Sequence, residues 1–221
     1  MITILLAGLA AGLLHVLSGP DHLAAIAPLA VKRPRGSWHA GFRWGLGHST
    51  GVLFVGVLSL CLRGLIPVDV ISNSSDRLVG LLLIGIGAWS LRKALQIHTH
   101  DHSHDGDSHE HIHMHAPKKT HVQHVHTHAA FGIGTLHGLA GSSHFLGILP
   151  ALALPSSALA ISYLAMFGAG TVLAMIGFSS AIGAVARRFQ MRAWKAYRRL
   201  MFACSGVAFA VGAAWIAGYS W

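Results

Sequence analysis

Charge is what this chain has least of. Only 10% of its 221 residues are Asp, Glu, Lys or Arg, against 53% hydrophobic, and an average soluble domain carries roughly 25% charged residues. The polar surface of a water-soluble globule is therefore missing. Acidic residues are scarcer than basic ones, seven against sixteen, which leaves too few oxygen ligands for an all-protein calcium or magnesium cage. The two cysteines, Cys61 and Cys204, stand in separate apolar segments, so neither a disulfide framework nor a thiolate metal site is expected. No GxxxxGK[ST] stretch is present to drive a nucleotide-powered motor, and no HExxH to make that class of metalloprotease. No two histidines are adjacent, which removes the paired boxes common in membrane di-iron oxygenases; no enzyme and no resident cofactor are expected. The opening MITILLAGLAAGLL has no Lys or Arg and so lacks the positive region of a cleaved signal peptide.

What is there in abundance is apolar length. Six runs approach the roughly 20 residues that cross a bilayer: 2 to 30 with a break at Gly19-Pro20, 44 to 66, 76 to 96, 129 to 154, 158 to 186, and 198 to 219. The 26 glycines suit close helix packing in lipid. The expected fold class is all-α, a polytopic membrane protein of six transmembrane helices.

Residues 97 to 128 break that pattern. They hold twelve of the eighteen histidines: His98, His100, His102, His104, His109, His111, His113, His115, His121, His124, His126 and His128. Four of the seven acidic residues lie among them. Such a composition cannot build a core and is expected to form a disordered loop that captures metal ions. Basic residues set the orientation. Fourteen of sixteen fall on odd-numbered inter-span loops or their flanks, and the positive-inside rule makes that face cytoplasmic. The expected location is the cell (inner) membrane, with both termini outside and the histidine-rich loop in the cytoplasm. The net charge of +9 is then a topology signal split among short loops, and no nucleic-acid partner is expected.

The chain also repeats itself. GLLHVLSGPDHLAAIAPLA (12 to 30) aligns with GTLHGLAGSSHFLGILPAL (134 to 152), pairing His15 with His137, Gly19 with Gly141, His22 with His144 and Pro28 with Pro150. Trp44 to Phe54 aligns with the segment from Phe167, and Arg77-Leu78 with Arg199-Leu200. Three spans per copy is an odd number, so the copies (1 to 96 and 129 to 221) run oppositely through the membrane as a 3+3 inverted repeat, the first helix of each broken. The break has a chemical use. On an unbroken helix His15 and His22 stand about 10 Å apart along the axis, too far to share an ion held at about 2.0 to 2.1 Å. Gly19 and Pro20 allow unwinding that carries Asp21 and His22 back toward His15. Ionisable groups in lipid mark function by default, so His15, Asp21, His22, His137 and His144 are the candidate site, with His48 of GLGHST on the site or its pathway. Imidazoles with one carboxylate and no thiolate suit a borderline divalent transition metal.

At these residues the chain resembles the nickel/cobalt transporter superfamily, its permeases and its smaller efflux proteins. The permeases carry a histidine followed by an Asp-His pair on an early span and Gly-His-Ser-Thr on the next; here these are His15, Asp21, His22, and Gly47, His48, Ser49, Thr50. The resemblance implies that these residues recognise nickel or cobalt. His15 and Asp21 stand one residue further apart than in the permease signature, and HGLAGSSHF occupies the place of the later acidic motif. The six-span layout and the loop after span three look more like the efflux members. The expected function is alternating-access transport of Ni2+ or Co2+, with export favoured over import because a cytoplasmic collector suits export. The alternative is a proton-coupled exporter of a non-metal solute that uses the same His and Asp as a relay. Lipid and divalent ions are the expected partners; oligomeric state is not written in the sequence.

Overall fold

Glycine and proline at 19 and 20 decide how the chain begins. In a computed structural model, helix α1 (Ile2–Ser18) and helix α2 (Pro20–Lys32) are bent by 73° at Gly19. Gly19 is extended, at φ −86° and ψ 101°. Its N–H still donates to the His15 carbonyl at 3.1 Å. Pro20, which has no N–H to continue the ladder, stands at the first position of α2, where that donor would be an orphan anyway.

The structure describes all residues except 62–67, 105–106, 115–124, 141–142, 193 and 220–221, and the side chains of 68–76, 97–104, 107–114, 125–128, 143–146, 191–192 and 194 are likewise outside the description. After a 3-10 turn at Pro34–Gly36 come α3 (Ser37–Cys61), α4 (Val68–Leu95), α5 (Val125–Ala140), α6 (Ser143–Leu152), α7 (Ser157–Arg192) and α8 (Trp194–Ile216). Among the described residues, four stretches are long and apolar enough to cross a bilayer: Pro34–Cys61, Arg77–Leu95, Ser157–Gln190 and Lys195–Ile216. The bent α1–α2 pair makes a fifth if it is one span. These fall on five of the six expected runs. The remaining run, 129 to 154, falls on α5 and α6, of which Ala129–Ala140 is apolar but short. The chain is a multi-pass membrane protein.

The all-α expectation departs at the histidine-rich stretch. There β1 (Ile97–His104) pairs antiparallel with β2 (Asp107–Met114), His98 opposite His113, His100 opposite His111 and His102 opposite His109. The physical reason is in the sequence: HTHDHSH alternates with the period of a strand, and Asp105-Gly106 between the runs is a dipeptide that favours tight hairpins. His115, His121 and His124 of the expected loop lie outside the described residues, and the backbone at His126 and His128 belongs to α5.

Helix packing then depends on residues without side chains. A Cβ added at Gly12 would meet the Phe167 carbonyl of α7, and one at Gly170 the Leu9 carbonyl of α1. Between α3 and α5, a Cβ at Gly47 would meet the Phe131 carbonyl and one at Gly134 the Trp44 carbonyl. Backbone therefore rests on backbone at both crossings. Elsewhere α4 packs on α8 and α7 lies against α3, around buried Val16, Ile26, Trp44, Leu83 and Trp215. The Tyr197 hydroxyl of α8 donates to the Val31 carbonyl at 3.0 Å, satisfying the end of α2. Leu6, Leu14, Phe54, Leu81, Leu149, Leu173 and Val207 face outward, as suits an apolar surrounding.

Candidate metal centre

The bend at Gly19 delivers three side chains to one point. His15 closes the last turn of α1 while Asp21 and His22 open α2, so the rings of His15 and His22 come to 4.5 Å between centroids. That is under half of their separation on a straight helix. Asp21 sits in the first turn of α2, where the partial positive charge of the helix N-terminus favours a carboxylate. The space beside Gly19 is fully used: a Cβ there would press on His22 Nδ1 and Asp21 Oδ1.

Two further histidines arrive through the glycine crossing of α3 and α5. His48 and His137 are fully buried, with ring centroids 5.5 Å apart. His48 lies 4.8 Å from His22, as does His137, centroid to centroid. A Cβ at Gly138 would meet the His48 carbonyl, so only a bare backbone lets His137 reach this depth.

The polar contacts form one chain. Asp21 is 1% exposed, and a carboxylate only accepts hydrogen bonds. It therefore accepts from His22 Nδ1 at 2.9 Å and from His137 Nε2 at 2.8 Å, one oxygen for each. With its proton on Nδ1, His22 presents the lone pair of Nε2, and that atom faces His48 Nε2 at 3.4 Å. Two nitrogens bound tetrahedrally to one ion at about 2.0 to 2.1 Å stand about 3.3 Å apart. The His22 and His48 pair thus has the spacing of two ligands, while Asp21 holds His22 by its other nitrogen, as carboxylates do behind metal-bound imidazoles. Ligand atoms of His15, His22 and His48 lie within 4.8 Å of one another, and so do those of Asp21, His22 and His137. His22 belongs to both triads.

Of the sequence candidates, the structure thus brings together His15, Asp21, His22, His48 and His137. The side chain of His144, the sixth, lies outside the described residues, though its backbone is placed in α6. Sequence reasoning passed over Trp44. Its ring stacks on His48 at 5.2 Å and 7° and stands 5.8 Å from His22 and 5.0 Å from His137, walling one side of the cluster. Its indole N–H has no hydrogen-bond partner among the described residues. The available signal was its place four residues before His48, one turn back on the same helix face.

Comparison with known proteins places this architecture. Residues 3–211 match the family described as the cytochrome c biogenesis protein transmembrane region. The chain is 36% identical over 208 residues, 94% of its length, to Chloroplast protein FOR GROWTH AND FERTILITY 2 of Arabidopsis thaliana, and 35% identical over 210 residues, 93% of its length, to FOR GROWTH AND FERTILITY 1. It spans about half of those two relatives, 54% and 56%. It is also 34% identical over 186 residues to Urease accessory protein UreH of Bacillus sp. (strain TB-90), covering 83% of this chain and 77% of the relative. No solved structure matches the chain. The finer resemblance to nickel/cobalt transporters rests on the histidine motifs alone. With nearly its whole length matched, the chain belongs to the cytochrome c biogenesis protein transmembrane region family.

Proposed function

We propose that the chain is a secondary transporter that carries a divalent transition-metal cation, Ni2+ or Co2+, across the membrane by alternating access, in the direction of export. The observation that carries this reading is the bent α1–α2 junction, which gathers His15, Asp21 and His22 beside His48 and His137 in a buried cluster. Imidazole nitrogens backed by a carboxylate suit borderline divalent metals. An Asp at mid-membrane costs about 2.5 to 3.5 kcal/mol by insertion scales, and two ring N–H groups offset that here. The relative named as a urease accessory protein favours a metal cargo. On this reading the ion is cargo, no resident cofactor is held, and no covalent step is catalysed.

The mechanism follows from the packing. His15, His22 and His48 receive the ion, while Asp21 and His137 orient His22 and balance charge. Ligation needs bare lone pairs, so protons leave as the ion enters. The reading of a 3+3 inverted repeat finds support in the glycine crossings. At the sequence offsets that align the halves, Gly12 on Gly170 corresponds to Gly134 on Gly47. Such paired bundles rock around a fixed site. The basic face is cytoplasmic by the positive-inside rule, which puts the histidine-rich segment where it collects ions for export.

The hydrogen-bonded run His137, Asp21, His22, His48 also favours a second reading, a proton relay that serves a non-metal solute. Purified protein in sealed vesicles decides between them. Nickel- or cobalt-dependent flux against a metal-sensitive dye is expected; proton movement with no metal flux would replace the first reading by the second.

A further inference from the structure

A cavity of about 350 Å³ opens among α2, the Pro34–Gly36 turn, α3, α4 and the start of α5. Its walls are of two kinds. Leu29, Leu82, Ile86 and Ile133 make an apolar interior, and Lys32, Arg33 and Arg43 line it with cations. The Lys32 ammonium lies 4.2 Å over the Trp89 ring, and Arg33 and Lys93 are close enough to repel it. None of Lys32, Arg33 and Arg43 forms an ion pair with a carboxylate among the described residues. Like charges gathered at an apolar, low-dielectric wall repel one another unless an anion joins them.

The cavity adjoins the metal cluster. Ile133 lines it, and His137 is one turn further along α5. It does not suit the path of a divalent cation, because three positive side chains in its lining raise the barrier to positive charge. It suits a molecule with an anionic head and an apolar tail. At Gly85, on the cavity wall, nothing lies within 4 Å of where a Cβ would be, so a tail has room against α4.

We propose that this cavity holds one anionic phospholipid, its phosphate among Lys32, Arg33 and Arg43 and an acyl chain along Leu82, Gly85, Ile86 and Ile133. Basic pockets between membrane helices take such headgroups. Inorganic phosphate would satisfy the cations but leave the apolar wall unused, so the lipid is the occupant that fits both kinds of lining.

Native mass spectrometry of the full chain tests this, with phosphatidylglycerol, phosphatidylcholine or inorganic phosphate added. One phosphatidylglycerol retained per chain, in preference to phosphatidylcholine, is expected. Arg33→Gln with Arg43→Gln removes two charges and should weaken retention about thirtyfold, at about 1 kcal/mol for each charge near an anionic lipid. Gly85→Leu fills the cavity without changing charge and should also lower retention, which keeps the test alive if the double variant fails to fold. Equal retention of phosphatidylcholine, displacement of the lipid by inorganic phosphate, or parent-like retention in the variants that fold would overturn the proposal. The readout is lipid mass, so it stands or falls apart from metal transport.

Discussion

Most of the chain's histidines stand in two kinds of place, and the two differ in what surrounds them. Twelve lie between 97 and 128 in a polar stretch, where strand pairing sets His98, His100 and His102 opposite other histidines of a hairpin. Four others, His15, His22, His48 and His137, stand in apolar helices around one buried carboxylate. On the proposed reading, imidazoles of the first region would exchange water for metal at little cost and with little selectivity. In the second, lipid makes every unpaired polar group costly, so the protein must fix partner, tautomer and depth for each ring. On that reading number would give capacity, and burial with a fixed partner would give selectivity.

The sharpest way to break that contrast is His22→Ala. Because His22 belongs to both triads, metal-dependent transport should vanish while membrane insertion and abundance stay near those of the parent. Cells carrying the variant that tolerate nickel and cobalt as the parent does would show that the buried cluster is not the transport site. Asp21→Asn comes next. It keeps shape but loses the carboxylate behind His22, and a change of that kind costs about 10- to 100-fold in metal affinity; calorimetric titration of nickel into purified protein lacking the histidine-rich segment checks it.

Gly19→Ala with Pro20→Ala leaves every ligand in place. It should favour a continuous helix, and the new Cβ presses on His22 Nδ1, so affinity should fall toward that of Asp21→Asn. Parent-like affinity would reduce the bend to a packing feature. This titration needs protein lacking the histidine-rich segment, whose sites would mask the cluster. The smallest effect belongs to that segment. Removing residues 98 to 124 and joining the ends by a short flexible linker ends before α5 begins at Val125. Vesicle flux should persist, saturating at higher metal concentration, and total loss in a folded deletion would move the segment into the pathway.

Much of this was legible from local signals. Apolar length gave five of the spans, and Gly-Pro followed by Asp-His marked where the first helix bends, because proline chemistry acts on its own turn. Contacts across the fold were not legible to the same degree. Asp21 lies 116 residues from His137, and no local rule says that its second oxygen faces that ring. Trp44 went unread because an indole in an apolar helix looks like any core residue until its neighbours are known. The strand pair was missed for a different reason: composition argued against a core, while the alternation of HTHDHSH and the Asp-Gly between the runs carried the signal. The cationic cavity needs five segments to be assembled, and in the sequence its basic residues carry only a topology signal.

At Gly12, Gly47, Gly134 and Gly170 the first atom of any side chain would land on a carbonyl of the facing helix, and a carbonyl, unlike a rotamer, cannot swing aside. In a saturation library these positions should refuse even alanine, the mildest change available. Neighbours such as Leu14 and Leu46 face outward and should accept almost any apolar residue. A tolerance map of this protein would therefore show isolated forbidden points along otherwise permissive helices, and those points alone would locate both crossings.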